Sequence, residues 1–227
     1  MPESARNTAL TDLYRRHWPA LKEICLRDER LSMPYLAWVH PDYEQARTRL
    51  VIVGKETNGW GDRECVLRAE PEDAVRLLMH TYRGFELGTH YPGKRSFWTP
   101  VHELYRLLNP NGPALGFVAL NASKMDLRGA IPGEEVRSAL TQTRLLPDEI
   151  RILQPHVVVF HTGPKYERWL DGWFPGLARA GDVWLARLTA DGLPRLTFRT
   201  YHPRYLNYCS QRQAIYGRIV AEVASAT

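Results

Sequence analysis

Four short apolar runs, rich in β-branched residues and each leading into a polar turn, limit what this chain can fold into. They are Leu50-Val51-Ile52-Val53, Leu115-Gly116-Phe117-Val118-Ala119-Leu120, His156-Val157-Val158-Val159-Phe160-His161 and Leu196-Thr197-Phe198-Arg199-Thr200. Runs of this length and type read as buried strands. The segments between them carry apolar residues at helical spacing. Residues 71–87 open on Pro71-Glu72-Asp73 and repeat at Val75, Leu78, Met79 and Tyr82. Further helices are predicted over 101–108, over 131–152 as one helix or a pair, and over 213–223. Strands alternating with helices imply a parallel sheet with helices on both faces. The expected fold is α/β, a three-layer α/β/α domain over residues 1–227 with a central, mainly parallel four-stranded sheet. A packing helix is expected at about 9–30, with Leu10, Leu13, Tyr14, Trp18, Leu21, Ile24 and Cys25 inward and Thr11 or Asp12 near its start. The alternating run Val183 to Leu188 reads as an edge strand or hairpin.

Composition narrows the class. With 227 residues, 44% hydrophobic and 24% charged, the chain has enough apolar surface for one good core. No run of about 18 apolar residues exists, so no membrane partner is expected. Residues 1–16 are polar and carry no apolar stretch of a secretory signal. Cys25, Cys65 and Cys209 are scattered, which argues against a disulfide framework and against a cysteine-based metal or iron–sulfur site. A cytoplasmic monomer without metal or cofactor is expected. The net charge of +5 permits a nucleic-acid partner, and all but five of the 30 cations are arginine, a phosphate binder. Codon bias explains that preference equally well.

Chemistry-bearing residues stand where the predicted strands end. After residues 50–53 come Gly54-Lys55-Glu56-Thr57-Asn58-Gly59. In open α/β sheets ligands bind outside the carboxyl ends of the strands, and Glu56 is the candidate carboxylate. Taken alone, this loop is equally a βα turn with solvated charges. The second strand ends in Asn121, whose amide can read a base edge or simply form a turn. His161, at the end of the third, is a further catalytic candidate, although the Thr162-Gly163-Pro164 that follows reads chiefly as tight βα packing. The fourth runs into Tyr201-His202-Pro203-Arg204-Tyr205-Leu206. Before residues 101–108, Lys94-Arg95-Ser96-Phe97-Trp98-Thr99 sets cations beside aromatics, the combination a nucleotide needs. Ser96 or Thr99 is predicted to cap that helix, whose free N–H groups favour phosphate. Phe97 is assigned to the site and Trp98 to the core. A carboxylate, an amide and an imidazole on one rim carry more weight together than any one alone.

With these residues in place, the chain resembles the uracil-DNA glycosylase superfamily over roughly residues 48–220. That family has a strand followed by a G-Q-D-P-Y-H type loop, a middle strand ending in Asn, and a last strand followed by H-P-S-P-L. The corresponding stretches here are Gly54 to Gly59, Leu120-Asn121, and His202-Pro203-Arg204-Tyr205-Leu206. Lys55, Glu56, Thr57 and Asn58 stand where the family has Gln, Asp, Pro and Tyr. The residue that walls off the thymine methyl in the family is therefore absent, which leaves the base open.

The resemblance implies a base-excision enzyme acting on DNA, with RNA or single strands as further options. Glu56 and His202 would be catalytic: the carboxylate supports the cationic sugar and orients water, and the imidazole donates to the departing base. Gly54, Lys55, Asn58, Phe97 and Asn121 would hold the base. Lys94, Arg95, Ser96, Lys124 and Arg204 would meet the nucleic acid, with Leu206 as a wedge in the base stack. A Schiff base on Lys55 is a lesser alternative, because pairing with Glu56 or contact with phosphate is the commoner role for such a lysine. Two other functions share this pattern: a non-catalytic nucleic-acid binder, and a hydrolase of free nucleosides or nucleotides.

Overall fold

The computed structural model describes residues 4–89 and 95–226. Helix α1 (Ala5–Leu26) starts earlier than the apolar spacing predicts, because Ser4 caps it and accepts a hydrogen bond from the Asn7 N–H at 3.2 Å. Its seven predicted inward residues are all buried. A mostly buried extended segment follows, pegged by hydrogen bonds from Met33 N–H to the Trp60 carbonyl (2.8 Å) and from Tyr35 N–H to the Lys124 carbonyl (2.7 Å). After the one-turn α2 (Asp42–Gln45), strand β1 (Leu50–Gly54) is buried along its whole length.

Helices α3 (Arg63–Arg68), α4 (Pro71–Phe85) and α5 (Arg95–Leu108) lead to β2 (Phe117–Asn121). Helix α5 is longer than predicted. Pro100, expected in the loop before the helix, lies inside it, where it has no N–H to give the Ser96 carbonyl. Ser96 and Thr99 are thus within the helix and are not its caps. Helices α6 (Glu134–Gln142) and α7 (Leu145–Leu153) precede β3 (Val157–Phe160). A 3-10 turn at Pro164–Tyr166 then leads into α8 (Glu167–Trp173). The chain closes with β4 (Ala178–Gly181), β5 (Leu185–Thr189), β6 (Leu196–Thr200), α9 (Pro203–Tyr208) and α10 (Arg212–Ala224).

Among the described residues the sheet is mixed and has six strands in the order β2-β1-β3-β6-β5-β4, where the sequence predicts four. β1 is parallel to β2 and β3, and β3 is parallel to β6. β5 is antiparallel to β6 and β4 to β5. The extra pair is the hairpin alternative for residues 183–188, extended by β4. That strand is Ala-Arg-Ala-Gly, largely exposed and without apolar alternation, so no periodicity announces it. The chain leaves β1 for β2 on one side, then crosses back to β3 on the other. β1 therefore stands at the switch point of the strand order, where α/β sheets open a crevice. No helix among the described residues is long and apolar enough to cross a membrane.

One expected surface residue belongs to the interior. Lys124 is fully buried and ion-paired with Glu149, itself buried on α7. Tyr14 donates to the same carboxylate at 2.7 Å. Burial lowers the Lys124 pKa and raises that of Glu149, while their mutual attraction opposes both shifts.

Candidate active site

The loop after β1 is shaped by its neighbour β2. Register places Gly54 opposite Asn121, and a Cβ on Gly54 would stand 2.5 Å from the Asn121 Oδ1 and 3.5 Å from the Phe97 Cζ. Glycine is thus what lets the amide close over the end of β1. Beyond the strands, Ala122 N–H donates to the Gly54 carbonyl (3.0 Å) and Ser123 N–H to the Lys55 carbonyl (2.8 Å). Asp126 then ties the loop down. Its buried carboxylate accepts from the Thr57 hydroxyl, from the Gly59 N–H at 2.9 Å and from the Gly129 N–H. Burial pushes the Asp126 pKa up, but these donors outweigh it and hold the group below its usual range. Gly59 has φ +70°, a backbone state glycine adopts without strain.

This loop opens on a cleft of about 710 Å³ whose lining includes Lys55, Glu56, Asn58, Phe97, Asn121 and His202. Glu56 and His202, expected on one rim, share it. Ser96 and Arg204, both exposed, are also at its wall. Rings back it in a chain of edge contacts: Trp60 to Phe85 at 5.6 Å, Phe85 to Trp98 at 5.2 Å, and Trp98 to Phe97 at 5.0 Å. Phe97 in turn lies 5.3 Å from the His202 ring at 32°.

Glu56 sits half-buried between two partners. The Tyr166 hydroxyl, from the 3-10 turn after β3, donates to its Oε2. Burial raises the Glu56 pKa, and the Tyr166 hydrogen bond and the Lys55 ammonium oppose the rise. Lys55 Nζ lies 5.9 Å from the centre of the Tyr166 ring. His202 is the N-cap of α9, and its Nδ1 accepts the Arg204 N–H at 3.2 Å. That contact assigns the proton of the neutral ring to Nε2. Burial, with the neighbouring His161, Lys55 and Arg204, pushes the His202 pKa down to about 4, so the ring is a neutral donor at pH 7. His161 is fully buried behind it, with Nδ1 donating to the Tyr201 carbonyl at 3.0 Å; burial takes it down to about 4 as well.

Two predicted contacts with nucleic acid are corrected. Lys124 cannot reach a phosphate from the core, and Leu206 is fully buried on the inward face of α9, so it is no exposed wedge. Lys94 lies outside the described residues, as does the side chain of Arg95. Sequence reading missed Tyr166 and Asp126. Tyr166 has helical spacing with Trp169 and Leu170 and stacks on the Trp169 ring at 5.7 Å, so in the sequence it reads as packing. Its position just past a strand beside the switch point was the available signal. Asp126 had none, because all its partners but Gly129, namely Thr57, Gly59 and Ser32, are distant in sequence.

Among the described residues no group of three or more His, Cys, Asp or Glu side chains is placed to hold a metal ion. A second cleft of about 330 Å³, near Thr48 and Asn109, has Arg47 as the one charged residue in its lining and no acid or imidazole. Of these two clefts only the larger has an acid and an imidazole in its lining. No protein-family model matches the chain, and comparison with curated proteins gives no match.

Proposed function

We propose that this chain is a DNA glycosylase-like enzyme that hydrolyses the N-glycosidic bond of uracil or another modified base in DNA. One observation carries the reading: a carboxylate and a neutral imidazole, Glu56 and His202, share a cleft at the ends of parallel strands with the amide of Asn121. A target nucleotide turned out of the stack fits such a cleft. The bond from C1′ to the base nitrogen breaks with its electron pair leaving on the base. Positive charge then develops on the sugar and negative charge on the base. The Glu56 carboxylate stabilises the first and orients the water whose oxygen joins C1′. The His202 Nε2–H donates a hydrogen bond to the base oxyanion, and a ring with so low a pKa does so without adding a charge. The water proton ends on the departing base. Asn121 reads the base edge and Phe97 offers it a ring face.

The finer fold belongs to the same proposal. If both crossovers from the switch point are right-handed, α3 to α5 and α6 to α7 cover opposite faces of a core of four parallel strands. That is the three-layer arrangement of the family the sequence resembles. The reading takes the enzyme as a cytoplasmic monomer; three free thiols suit a reducing compartment.

A second reading rests on the Tyr166 hydrogen bond to Glu56, which would serve equally in a non-catalytic nucleic-acid binder. One experiment separates them. Single- and double-stranded oligonucleotides carrying uracil or other modified bases are incubated with the protein, and alkali-labile abasic sites are counted. The enzyme reading expects cleavage by the parent and binding without cleavage by Glu56→Gln. Binding with no cleavage across the panel by the parent supports the binder. Excision by Glu56→Gln at the parent rate removes Glu56 from the chemistry.

A further inference from the structure

The rim that carries His202 continues into an aromatic cluster outside the cleft. Antiparallel pairing of Leu185 with Thr200 brings the turn between β4 and β5 to the end of β6, beside Tyr201 and His202. The turn is clamped. Trp184 N–H and Leu185 N–H donate to Asp182 at 2.8 and 2.9 Å, and Asp182 pairs with Arg218 on α10 at 3.0 Å. Arg199 donates to the Val183 carbonyl at 2.6 Å, and the Thr200 hydroxyl to the Trp184 carbonyl at 2.8 Å. Trp184 is thus held in place at the rim. Tyr205 stacks on it at 6.0 Å and 19°, and Tyr201 lies 4.8 Å from Tyr205. Trp184 is half-buried against the core and backs the cluster, whereas Tyr205 is 45% exposed and Tyr208, one helical turn further on, is 86% exposed.

Two cations follow the ends of β3 and β6, the parallel pair that leads to the rings. Arg204 lines the cleft one residue before Tyr205, and exposed Lys165 follows β3, the neighbour of β6. Among the described residues neither is in an ion pair with a carboxylate. Ring faces alternating with unneutralised cations suit a chain of unpaired bases and phosphates. A duplex suits them less: its bases offer no free faces, and the buried Leu206 cannot fill the gap a flipped base leaves.

We propose that Trp184, Tyr205 and Tyr208 form a stacking platform for the unpaired bases next to the nucleotide in the cleft, so that the substrate is single-stranded DNA. The proposal rests on the base-excision reading for the cleft, but its test does not. A fluorescein-labelled oligodeoxynucleotide of about 12 nucleotides, a length within the usual site sizes, carries no modified base and is titrated by anisotropy as single strand and as duplex. The single strand should bind at least tenfold more tightly. Tyr205→Ala and Tyr208→Ala should each weaken single-strand binding by about 5- to 100-fold. Tyr205→Phe and Tyr208→Phe, which keep the ring, should stay within about twofold of the parent, and duplex binding should change in none. Tyr208 is so exposed that its truncation leaves the fold intact, and a thermal melt of each variant checks this. Equal affinity for single strand and duplex, or parent-like binding by both alanine variants, overturns the platform. A chain that shows the platform but excises no base keeps this inference and loses the catalytic one. A chain that excises from duplex as fast as from single strand, unaffected by Tyr208→Ala, loses the platform alone.

Discussion

Tyr166 donates the hydrogen bond of its hydroxyl to Glu56, a carboxylate 110 positions earlier in the chain. The two meet because β1 and β3 are parallel neighbours on either side of the crevice, so the turns that follow them face each other. Burial alone would push Glu56 towards its neutral form; Tyr166 and Lys55 work against that.

Tyr166→Phe keeps the ring, with its packing on Trp169, and removes only the donor. The Glu56 pKa then rises further. In the proposed mechanism excision needs the ionised carboxylate, so the acid limb of the pH–rate profile should move to higher pH. On that limb the variant should be slower by about tenfold, the scale of one hydrogen bond to a charged group. At alkaline pH it should approach the parent. A profile of unchanged shape would show that Tyr166 does not tune Glu56.

Lys124 and Arg204 should separate cleanly. Lys124→Met leaves Glu149 as an unpaired buried charge, and loss of one partner from such a pair is destabilising by about 3–5 kcal/mol. Urea denaturation should show that loss. The salt dependence of oligonucleotide binding by the folded protein should not change. Arg204→Ala should do the reverse: parent-like stability, with the slope of log affinity against log salt reduced by about one phosphate contact. A shallower salt slope in Lys124→Met would return Lys124 to the binding face.

These contrasts mark what local sequence can and cannot convey. Glu56, Asn121 and His202 were legible because each directly follows a β-branched or apolar run, and strand ends in such sheets point to one rim. Lys124 was misread for the same reason. It also follows a strand end, and what draws it inside is an acid on α7 and a tyrosine on α1, neither of them near it in sequence. Leu206 matched a motif position, but α9 turns it into the core and turns Arg204, Tyr205 and Tyr208 outward. Strand β4 was invisible because hydrogen bonding to β5, not side-chain pattern, makes it a strand.

Gly54→Ala tests how closely the amide of Asn121 is fitted. The new methyl would need the space of Asn121 Oδ1, 2.5 Å away, and a flexible side chain can yield it only by leaving its position over β1. Excision efficiency should fall by about tenfold or more through KM, with little change in thermal stability. The double variant Gly54→Ala/Asn121→Ala should be no worse than Asn121→Ala alone, because the clash is then gone. Additive losses would mean that Gly54 acts through the backbone or through Phe97 instead.

His161 and His202 make stability depend on pH with a definite sign. Burial takes both down to about 4 in the folded protein, against about 6.5 for a solvated histidine. Between these values the unfolded chain binds more protons than the native one, so each histidine makes stability rise with pH across that window and adds nothing above it. Glu56 and Glu149, whose pKa values are raised, act in the opposite sense, so the total slope is a difference. A single histidine is isolated by comparison. His161→Phe fills the same space between Phe97 and Tyr216 without a titrating group. Unfolding free energies at pH 4.5, 5, 5.5 and 6 should give the parent a slope more positive than the variant's by roughly 1.4 kcal/mol per pH unit, the value for one proton. If the two slopes coincide, His161 takes up its proton in the folded state as readily as in the unfolded one, and its neutral burial behind His202 is wrong.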